Sequence, residues 1–299
     1  MGKMTLGETI KEVTRRHLEE NNGMLFGQCV TAVGWINGTV PDCKNIVELP
    51  MTDVAGPGFA VGAALVGIRP IFVMRFQDFF TLNCNQLVHY ASISKELHGQ
   101  GVPIFIRCIG IDSAGPVHSI MLHNIAMYFP GMFVCAPTTP GEYLAAWDFF
   151  IRNDQPLFVS EHRRTYPNAE EWENEDEEEA KITLYGISDA RIEMMLAAEL
   201  LRGEGLRVNV RHIMFLKPFD VETMKQPLLA SRKGLVIDNG FPNCGAARSI
   251  AYELAESTGL FVNAFSSADN VKCFNPAQQN KTPSAAAICA KVHEIIGIG

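Results

Sequence analysis

Residues 49–64 read LPMTDVAGPGFAVGAA and place a carboxylate, Asp53, between the end of an apolar run and a helix of small residues. Pro57 is tolerated only in the first turn of a helix, where its missing N–H costs nothing, so we expect the helix to begin near Gly56. Asp53 then lies just ahead of the helix, where it can meet a ligand or cap the helix. The small residues of the helix allow another backbone to approach closely, which favours a subunit interface over packing within the chain.

Short apolar or β-branched stretches alternate with helical patterns on both sides of this segment. Such alternation predicts an α/β fold, with a mostly parallel sheet covered by helices on both faces. The predicted strands are 24–29, 45–49, 70–75, 103–108, 132–136, 156–161, 181–185, 207–213, 234–238 and 261–265. The predicted helices are 1–20, 58–66, 81–98, 118–128, 141–152, 189–201 and 244–257.

Eight acidic residues between positions 170 and 179 account for the whole net charge of -8. Such a run repels itself and stays solvated, as a linker between domains does. A chain of 299 residues is long enough for two domains. The sequence therefore predicts one domain over 1–168, an acidic linker over 169–180 and a second domain over 181–299. No basic stripe compensates the acidic run, which disfavours nucleic-acid binding.

The composition is that of a globular protein of enzyme size, with 47% hydrophobic and 19% charged residues. No apolar run reaches the roughly 18 residues that a membrane span needs, and residues 1–20 lack the apolar centre of a secretory signal. We therefore expect a cytoplasmic protein without a membrane partner. The 8 cysteines form no Cys-x-x-Cys pair, so the sequence predicts neither a zinc site nor a disulfide framework.

Asp53, Phe79 and His118 all fall just after predicted strands. The carboxyl ends of parallel strands are where α/β proteins bind ligands. Each residue also has an ordinary explanation, as helix cap, core aromatic or loop histidine, and only their combination indicates a site. The glycines at 56–62 depart from the dinucleotide-binding spacing, and the chain contains no GxxxxGK phosphate loop or GxSxG motif.

Several motifs of the chain occur together and in the same order in one enzyme family. They are FQDF at 76–79, VPIFIR at 102–107, GPVHS at 115–119, APTTP at 136–140, LKPFD at 216–220 and VIDNGFP at 236–242. With residues 53–67, they resemble the beta subunit of pyruvate-dehydrogenase-type 2-oxoacid decarboxylases, in the transketolase-like superfamily of thiamine-diphosphate enzymes. The resemblance implies a pyrimidine-binding domain followed by a transketolase C-terminal α/β domain.

The resemblance also implies a cofactor, thiamine diphosphate, and roles for four residues. Asp53 matches the catalytic carboxylate that bonds a nitrogen of the aminopyrimidine ring and so promotes loss of the thiazolium proton. Phe79 matches the aromatic residue that packs on the pyrimidine, and His118 matches the histidine that assists proton transfer. Gln28 stands where the family has an acidic residue and is assigned to cofactor binding.

The Gly-Asp-Gly motif with which this superfamily begins its cradle for the diphosphate and magnesium does not occur in the chain. The resemblance therefore implies that an alpha subunit carries this motif and holds most of the diphosphate and the magnesium ion. It further implies an assembly of two alpha and two beta chains, with this chain inactive alone. No metal ligand is assigned to this chain.

Three departures from the family pattern bear on function. Asp53 replaces a Glu, which shortens the side chain by about 1.5 Å. Asn153 replaces the acid that, with carbonyls of residues 150–155, often holds a structural potassium ion in the family. After Ser266 the usual Pro-rich ending is replaced, so the resemblance does not extend to docking on a lipoyl-transferase core.

Three functions remain open on the sequence. The family default is decarboxylation of a 2-oxoacid followed by transfer of the acyl unit. The alternative is a split transketolase-like carboligase that moves a two-carbon unit between carbonyl compounds. A third reading, from another class, is a scaffold subunit that keeps the fold without the reaction.

Overall fold

The computed structural model describes residues 3–32, 36–112, 114–269, 275 and 282–297. The chain divides into two compact units. One contains Met1–Ile111 and Ile125–Glu171, and the other contains Asp112–Asn124 and Trp172–Gly299. Within the described ranges, no helix is both long and apolar enough to cross a membrane. Most of the altered ending after Ser266, at 270–274 and 276–281, lies outside the described residues.

The first unit contains a parallel sheet. Its strands are β1 (Leu25–Gly27), β2 (Ile46–Glu48), β3 (Ile71–Met74), β4 (Phe105–Gly110), β5 (Phe133–Cys135) and β6 (Leu157–His162). These six strands follow the order β2-β1-β3-β4-β6-β5, and every neighbouring pair is parallel. All residues of β1, β3, β4 and β6 are buried, as expected for strands covered on both faces.

Two of the predicted helices are broken in the structure. The helices up to residue 152 are α1 (Leu6–Glu20), α2 (Gly56–Leu65), α3 (Phe80–Gln86), α4 (Ser94–His98), α5 (Gly115–His118), α6 (His123–Tyr128) and α7 (Pro140–Arg152). A π-helical turn at Leu87–Ser92 separates α3 from α4, and the Ser92 hydroxyl donates to the Val88 carbonyl within it. The predicted helix over 118–128 is interrupted at 119–122, because the Ser119 hydroxyl binds back to the turn before it.

The second unit contains its own parallel sheet. Its strands are β7 (Ile182–Gly186), β8 (Val208–His212), β9 (Phe215–Lys217), β10 (Gly234–Ile237) and β11 (Val262–Phe265), and its helices are α8 (Ala190–Gly203), α9 (Val221–Ser231), α10 (Ala246–Thr258) and α11 (Ala285–Ile296). Four strands follow the order β11-β10-β7-β8. A buried core that includes Leu184, Met194, Leu235 and Ile288 joins this sheet to α8 and α11. The predicted α/β fold with mostly parallel sheets is confirmed.

The acidic run is largely exposed, as predicted for a solvated segment, but several of its charges are paired and do not simply repel one another. Three arginines of the second unit form ion pairs with it: Arg202 with Glu175 and Glu177, Arg207 with Glu179, and Arg211 with Asp176. Glu175 and Val210 also exchange two backbone hydrogen bonds of 2.9 Å. The run therefore covers the outer edge of β8, where backbone groups would otherwise be left unpaired.

The outer face of α2 is exposed and partly apolar. Phe59 is 56% exposed and Val66 is 79% exposed. A Cβ atom added at Gly62 would meet no described atom within 4 Å. Gly62 and Gly67 therefore do not serve packing within the described chain, whereas Gly58 lies against Gln86, and the subunit interface expected here stays a prediction.

Arg69 binds the carbonyl end of α7. Its Nη1 atom donates to the carbonyl oxygens of Phe150 at 2.8 Å and Asn153 at 2.7 Å. The last carbonyls of a helix lack partners within it and carry partial negative charge, so a cation is favourable there. The Asn153 amide in turn donates to the Phe149 carbonyl at 2.8 Å. Two carbonyls of the segment in which the resemblance implied a potassium ion are thus already bonded to a side-chain cation.

Replacing Arg69 by Met is expected to lower the free energy of unfolding by about 2 kcal/mol, because two charge-assisted hydrogen bonds are lost. Urea unfolding of the full chain in KCl and in NaCl measures this. The matched control is Arg152→Met on the same helix, whose ion pair with Asp148 is exposed and worth under about 1 kcal/mol. A stabilisation of the native protein by potassium but not sodium would contradict the assignment of Arg69 as the cation of this site.

Candidate active site

A small pocket lies at the carboxyl ends of three neighbouring strands of the first unit, β2, β1 and β3. It is a small cleft that opens to solvent. The residues that line it are Gln28, Asp53, Phe72, Val73, Met74, Arg75, Phe79 and Asn83. Three of the four residues singled out from the sequence, Gln28, Asp53 and Phe79, therefore lie around one cavity, although 51 positions separate the first from the last.

Asp53 lies in the connection between β2 and α2. Before it, the Leu49 amide donates to the Gly27 carbonyl at 2.8 Å and continues the pairing of β2 with β1. After it, α2 begins at Gly56 with a proline in its first turn, as predicted. The residue before the helix is Ala55, and among the described residues no side chain caps the helix. Since the half-buried Asp53 carboxylate does not serve as a helix cap, it is available to a ligand in the pocket.

Phe79 is presented by a short 3₁₀ turn, Gln77–Phe79, that follows β3. The Gln77 side-chain amide anchors the turn by donating to the Cys108 carbonyl on β4 at 3.1 Å and to the Ser160 hydroxyl on β6 at 2.8 Å. The Asn83 amide donates to the Phe79 carbonyl at 2.8 Å. The half-buried Phe79 ring is therefore held on a turn tied to two interior strands.

Arg75 is a buried cation beside this ring and is only 6% exposed. Its guanidinium carbon stands 5.6 Å from the ring centroid of Phe76 and 5.8 Å from that of Phe79. A cation over an aromatic face is attractive and restrains the ring. The pocket thus carries a carboxylate and a guanidinium. Arg75 and Asn83 are not among the site residues predicted from the sequence.

His118 belongs to the second unit, in the segment 112–124. It is the last residue of the single-turn helix α5, and its side chain is half-buried. Gly115 begins this turn with a φ of 92°, a backbone conformation that favours glycine. The Ser119 hydroxyl accepts from the Ala114 amide at 2.8 Å and donates to the Gly115 carbonyl at 3.1 Å. His118 is therefore presented on a turn closed by its own neighbour.

The lining of the first-unit pocket suits a flat heterocycle with a polar edge. The Phe79 ring offers a face for stacking, and the strand residues Phe72–Met74 offer an apolar wall. The Asp53 carboxylate can bind a protonated or N–H-bearing ring atom, while the Gln28 amide can both donate and accept hydrogen bonds. This donor set matches the aminopyrimidine half of thiamine diphosphate, which combines a stacking ring with hydrogen-bonding nitrogens.

Two domain models match consecutive parts of the chain. Residues 21–169 match the model described as transketolase, pyrimidine binding domain, and residues 171–281 match transketolase, C-terminal domain. The pocket lined by Asp53 and Phe79 lies within the first match. Segment 112–124, which carries His118, lies within the same match along the sequence although it packs with the second unit.

Curated relatives are named as beta subunits. The chain is 26% identical over 230 residues to the acetoin:2,6-dichlorophenolindophenol oxidoreductase subunit beta of Cupriavidus necator, which covers 71% of this chain and 67% of that protein. It is 26% identical over 234 residues to the mitochondrial pyruvate dehydrogenase E1 component subunit beta of Bos taurus, covering 71% of this chain and 65% of that protein. The chain thus spans about two thirds of the length of these relatives.

A solved structure shares the fold along its whole length. It is described as a split gene transketolase, inactive beta4 tetramer, with a TM-score of 0.79 and 15% identity over 99% of both chains. The transketolase of Campylobacter jejuni gives a TM-score of 0.78 and 13% identity, over 97% of this chain and 46% of that enzyme.

Proposed function

Because the chain belongs to the transketolase family, with its pyrimidine-binding domain followed by its C-terminal domain, we propose that it is the beta subunit of a split thiamine-diphosphate enzyme. The enzyme cleaves a carbon–carbon bond next to a carbonyl, and its default reaction is decarboxylation of a 2-oxoacid with transfer of the acyl unit. The observation that carries this proposal is the grouping of Asp53, Phe79 and Gln28 around one pocket.

Four residues have defined tasks in this function: Asp53, Phe79 and Arg75 of the pocket, and His118 of the second unit. When bound, thiamine diphosphate supplies the electron sink for cleavage next to a carbonyl. The Asp53 carboxylate holds a proton at a ring nitrogen of the pyrimidine, which is general acid–base catalysis by a positioned group. Phe79 stacks on the ring, and Arg75 restrains Phe79 from the side. His118 exchanges a proton with the substrate at an imidazole nitrogen.

A partner completes the site in this proposal. The chain has no Gly-Asp-Gly motif for the diphosphate and its magnesium ion, and the curated relatives are named as beta subunits of larger enzymes. We expect an alpha subunit to carry that motif, in a heterotetramer of two alpha and two beta chains.

Titration of the isolated chain with thiamine diphosphate and magnesium tests the division of the site. The expected affinity is at least about 100-fold weaker than that of the complex with the alpha subunit, since the charge-assisted contacts to the diphosphate are missing. Calorimetry on the isolated chain and on the complex measures both. Equal affinity in the two would contradict the divided site.

Two assays on the same complex distinguish decarboxylation from two-carbon transfer. Ferricyanide-coupled oxidation of 2-oxoacids reports decarboxylation, whereas transfer from a ketose phosphate to an aldehyde reports the two-carbon carboligase. Position 53 is Asp where the family has Glu, and this departure is the sequence feature that supports the carboligase as an alternative. Activity only in the second assay would replace the default reaction by the carboligase.

A further inference from the structure

A histidine and an aspartate form a buried pair in the second unit. His123 Nε2 lies 3.1 Å from Asp238 Oδ1 and 3.2 Å from Asp238 Oδ2, and both side chains are 0% exposed. The catalytic scheme above uses neither residue. A buried carboxylate is costly unless its oxygens are bonded, so such a pair requires a well-formed environment.

The environment of the pair is specific. Asp238 directly follows β10, an interior strand of the second sheet, and its Oδ1 atom accepts from the Asn239 amide at 2.8 Å. A Cβ atom added at Gly240 would stand 2.8 Å from Asp238 Oδ2 and 4.0 Å from His123 Nε2. Because Gly240 has no side chain, there is room for the Asp238 carboxylate. The position of Asp238 is fixed by the interior strand that it follows.

His123 connects this point to the segment that carries His118. It is the first residue of α6 and stands five positions after His118. The next residue, Asn124, makes a second tie, because its amide donates to the Cys244 carbonyl at 3.0 Å. Between the two histidines, Ser119 and Met121 are buried, and Ile120 and Leu122 are half-buried.

We propose that His123 is a positioning residue, which fixes the segment 112–124 on the second unit through Asp238 and thereby sets the place of the His118 imidazole. This rests on the proposed role of His118. Misplacement of a catalytic group by about 1 Å costs about 100-fold in rate, so the tether acts on turnover although it does not touch the substrate. Substrate binding depends on other groups and is left largely unchanged.

Hydrogen–deuterium exchange of the full chain tests the tether, that is, the His123–Asp238 contact, without an activity assay. In His123→Ala the amides of residues 114–122 are expected to exchange at least about tenfold faster, while those of α8 are unchanged. His123→Gln keeps an N–H donor for Asp238 and restores most of the protection. The matched control is His293→Ala, which removes a histidine from an exposed pair with Glu204 in the same unit and leaves the segment unchanged.

Kinetics of the complex with the alpha subunit test the consequence. His123→Ala is expected to lower kcat about 100-fold with KM within about twofold, and His123→Gln to recover most of kcat. If His123→Ala fails to fold, the double variant His123→Phe with Asp238→Leu replaces both partners by apolar groups and keeps the test. It should fold, exchange faster over 114–122 and show the same loss of kcat.

The outcomes separate this proposal from the proposed function. Unchanged exchange over 114–122 in folded His123→Ala, or in the double variant, overturns the tether. Faster exchange with unchanged kcat overturns the link to turnover when His118→Ala is itself impaired. If His118→Ala retains full activity, the proposed role of His118 fails instead, and the positioning of a catalytic group by His123 fails with it.

Discussion

Replacing Asp53 by Asn is expected to lower kcat of the complex with the alpha subunit by about 10³-fold, within the range that general acid–base catalysis contributes. Asn keeps the size and polarity of the side chain but cannot hold the negative charge. The half-buried carboxylate caps no helix, so its removal should leave the fold intact. Steady-state turnover, with urea unfolding of the same variant, measures the effect.

Two further variants separate charge from shape at this position. Asp53→Glu keeps the carboxylate and adds about 1.5 Å of reach, so kcat is expected to stay within about tenfold of the native value. The control Asp148→Asn changes an exposed acid on α7 and should leave kcat unchanged. Full turnover in Asp53→Asn would instead identify the chain as a scaffold subunit, whose fold persists without the chemistry.

Much of the fold could be predicted because parallel strands buried on both faces read as continuous apolar runs. Each of the ten predicted strands overlaps an observed one. The helix α9 was missed because Pro227 lies inside it and breaks the helical pattern. The strand β9 was missed because it is only three residues long, and no helix was predicted at the position of α11.

The site could be predicted in part, for a physical reason. Gln28, Asp53 and Phe79 follow strands β1, β2 and β3, which prove to be neighbours, so their side chains share one edge of the sheet. The FQDF motif marks the turn after β3, but the packing of Arg75 against the Phe76 and Phe79 rings depends on tertiary structure that the motif does not specify. The grouping of His118 with the second unit depends on contacts between residues more than 100 positions apart, such as His123 with Asp238.

A buried ion pair between β4 and β6 is the feature on which stability should depend most. Arg107 donates from Nε to Glu161 Oε1 at 2.7 Å and from Nη2 to Glu161 Oε2 at 2.9 Å, and both side chains are at most 2% exposed. The Thr39 hydroxyl accepts from Arg107 at 2.8 Å, and the Tyr166 hydroxyl donates to Glu161 at 2.6 Å. Burial, followed by the Glu161 charge, raises the pKa of Tyr166, so its hydroxyl remains a donor.

Removing one partner of this pair is expected to cost about 3–5 kcal/mol of unfolding free energy, because the other charge is left buried without compensation. The variants are Arg107→Met and Glu161→Gln, measured by urea unfolding. The control is Lys95→Met, which breaks a surface pair with Asp154 and should cost under about 1 kcal/mol.

The double variant Arg107→Met with Glu161→Leu distinguishes the energy of the pair from the cost of an unpaired charge. Two apolar side chains of similar volume leave no charge to desolvate, so the double variant should be more stable than either single variant. The Tyr166 hydroxyl then loses its acceptor, so the unfolding free energy of the double variant should remain about 1–3 kcal/mol below that of the native protein. Additive losses from the two single changes would mean that packing at these strands, and not the uncompensated charge, sets the cost.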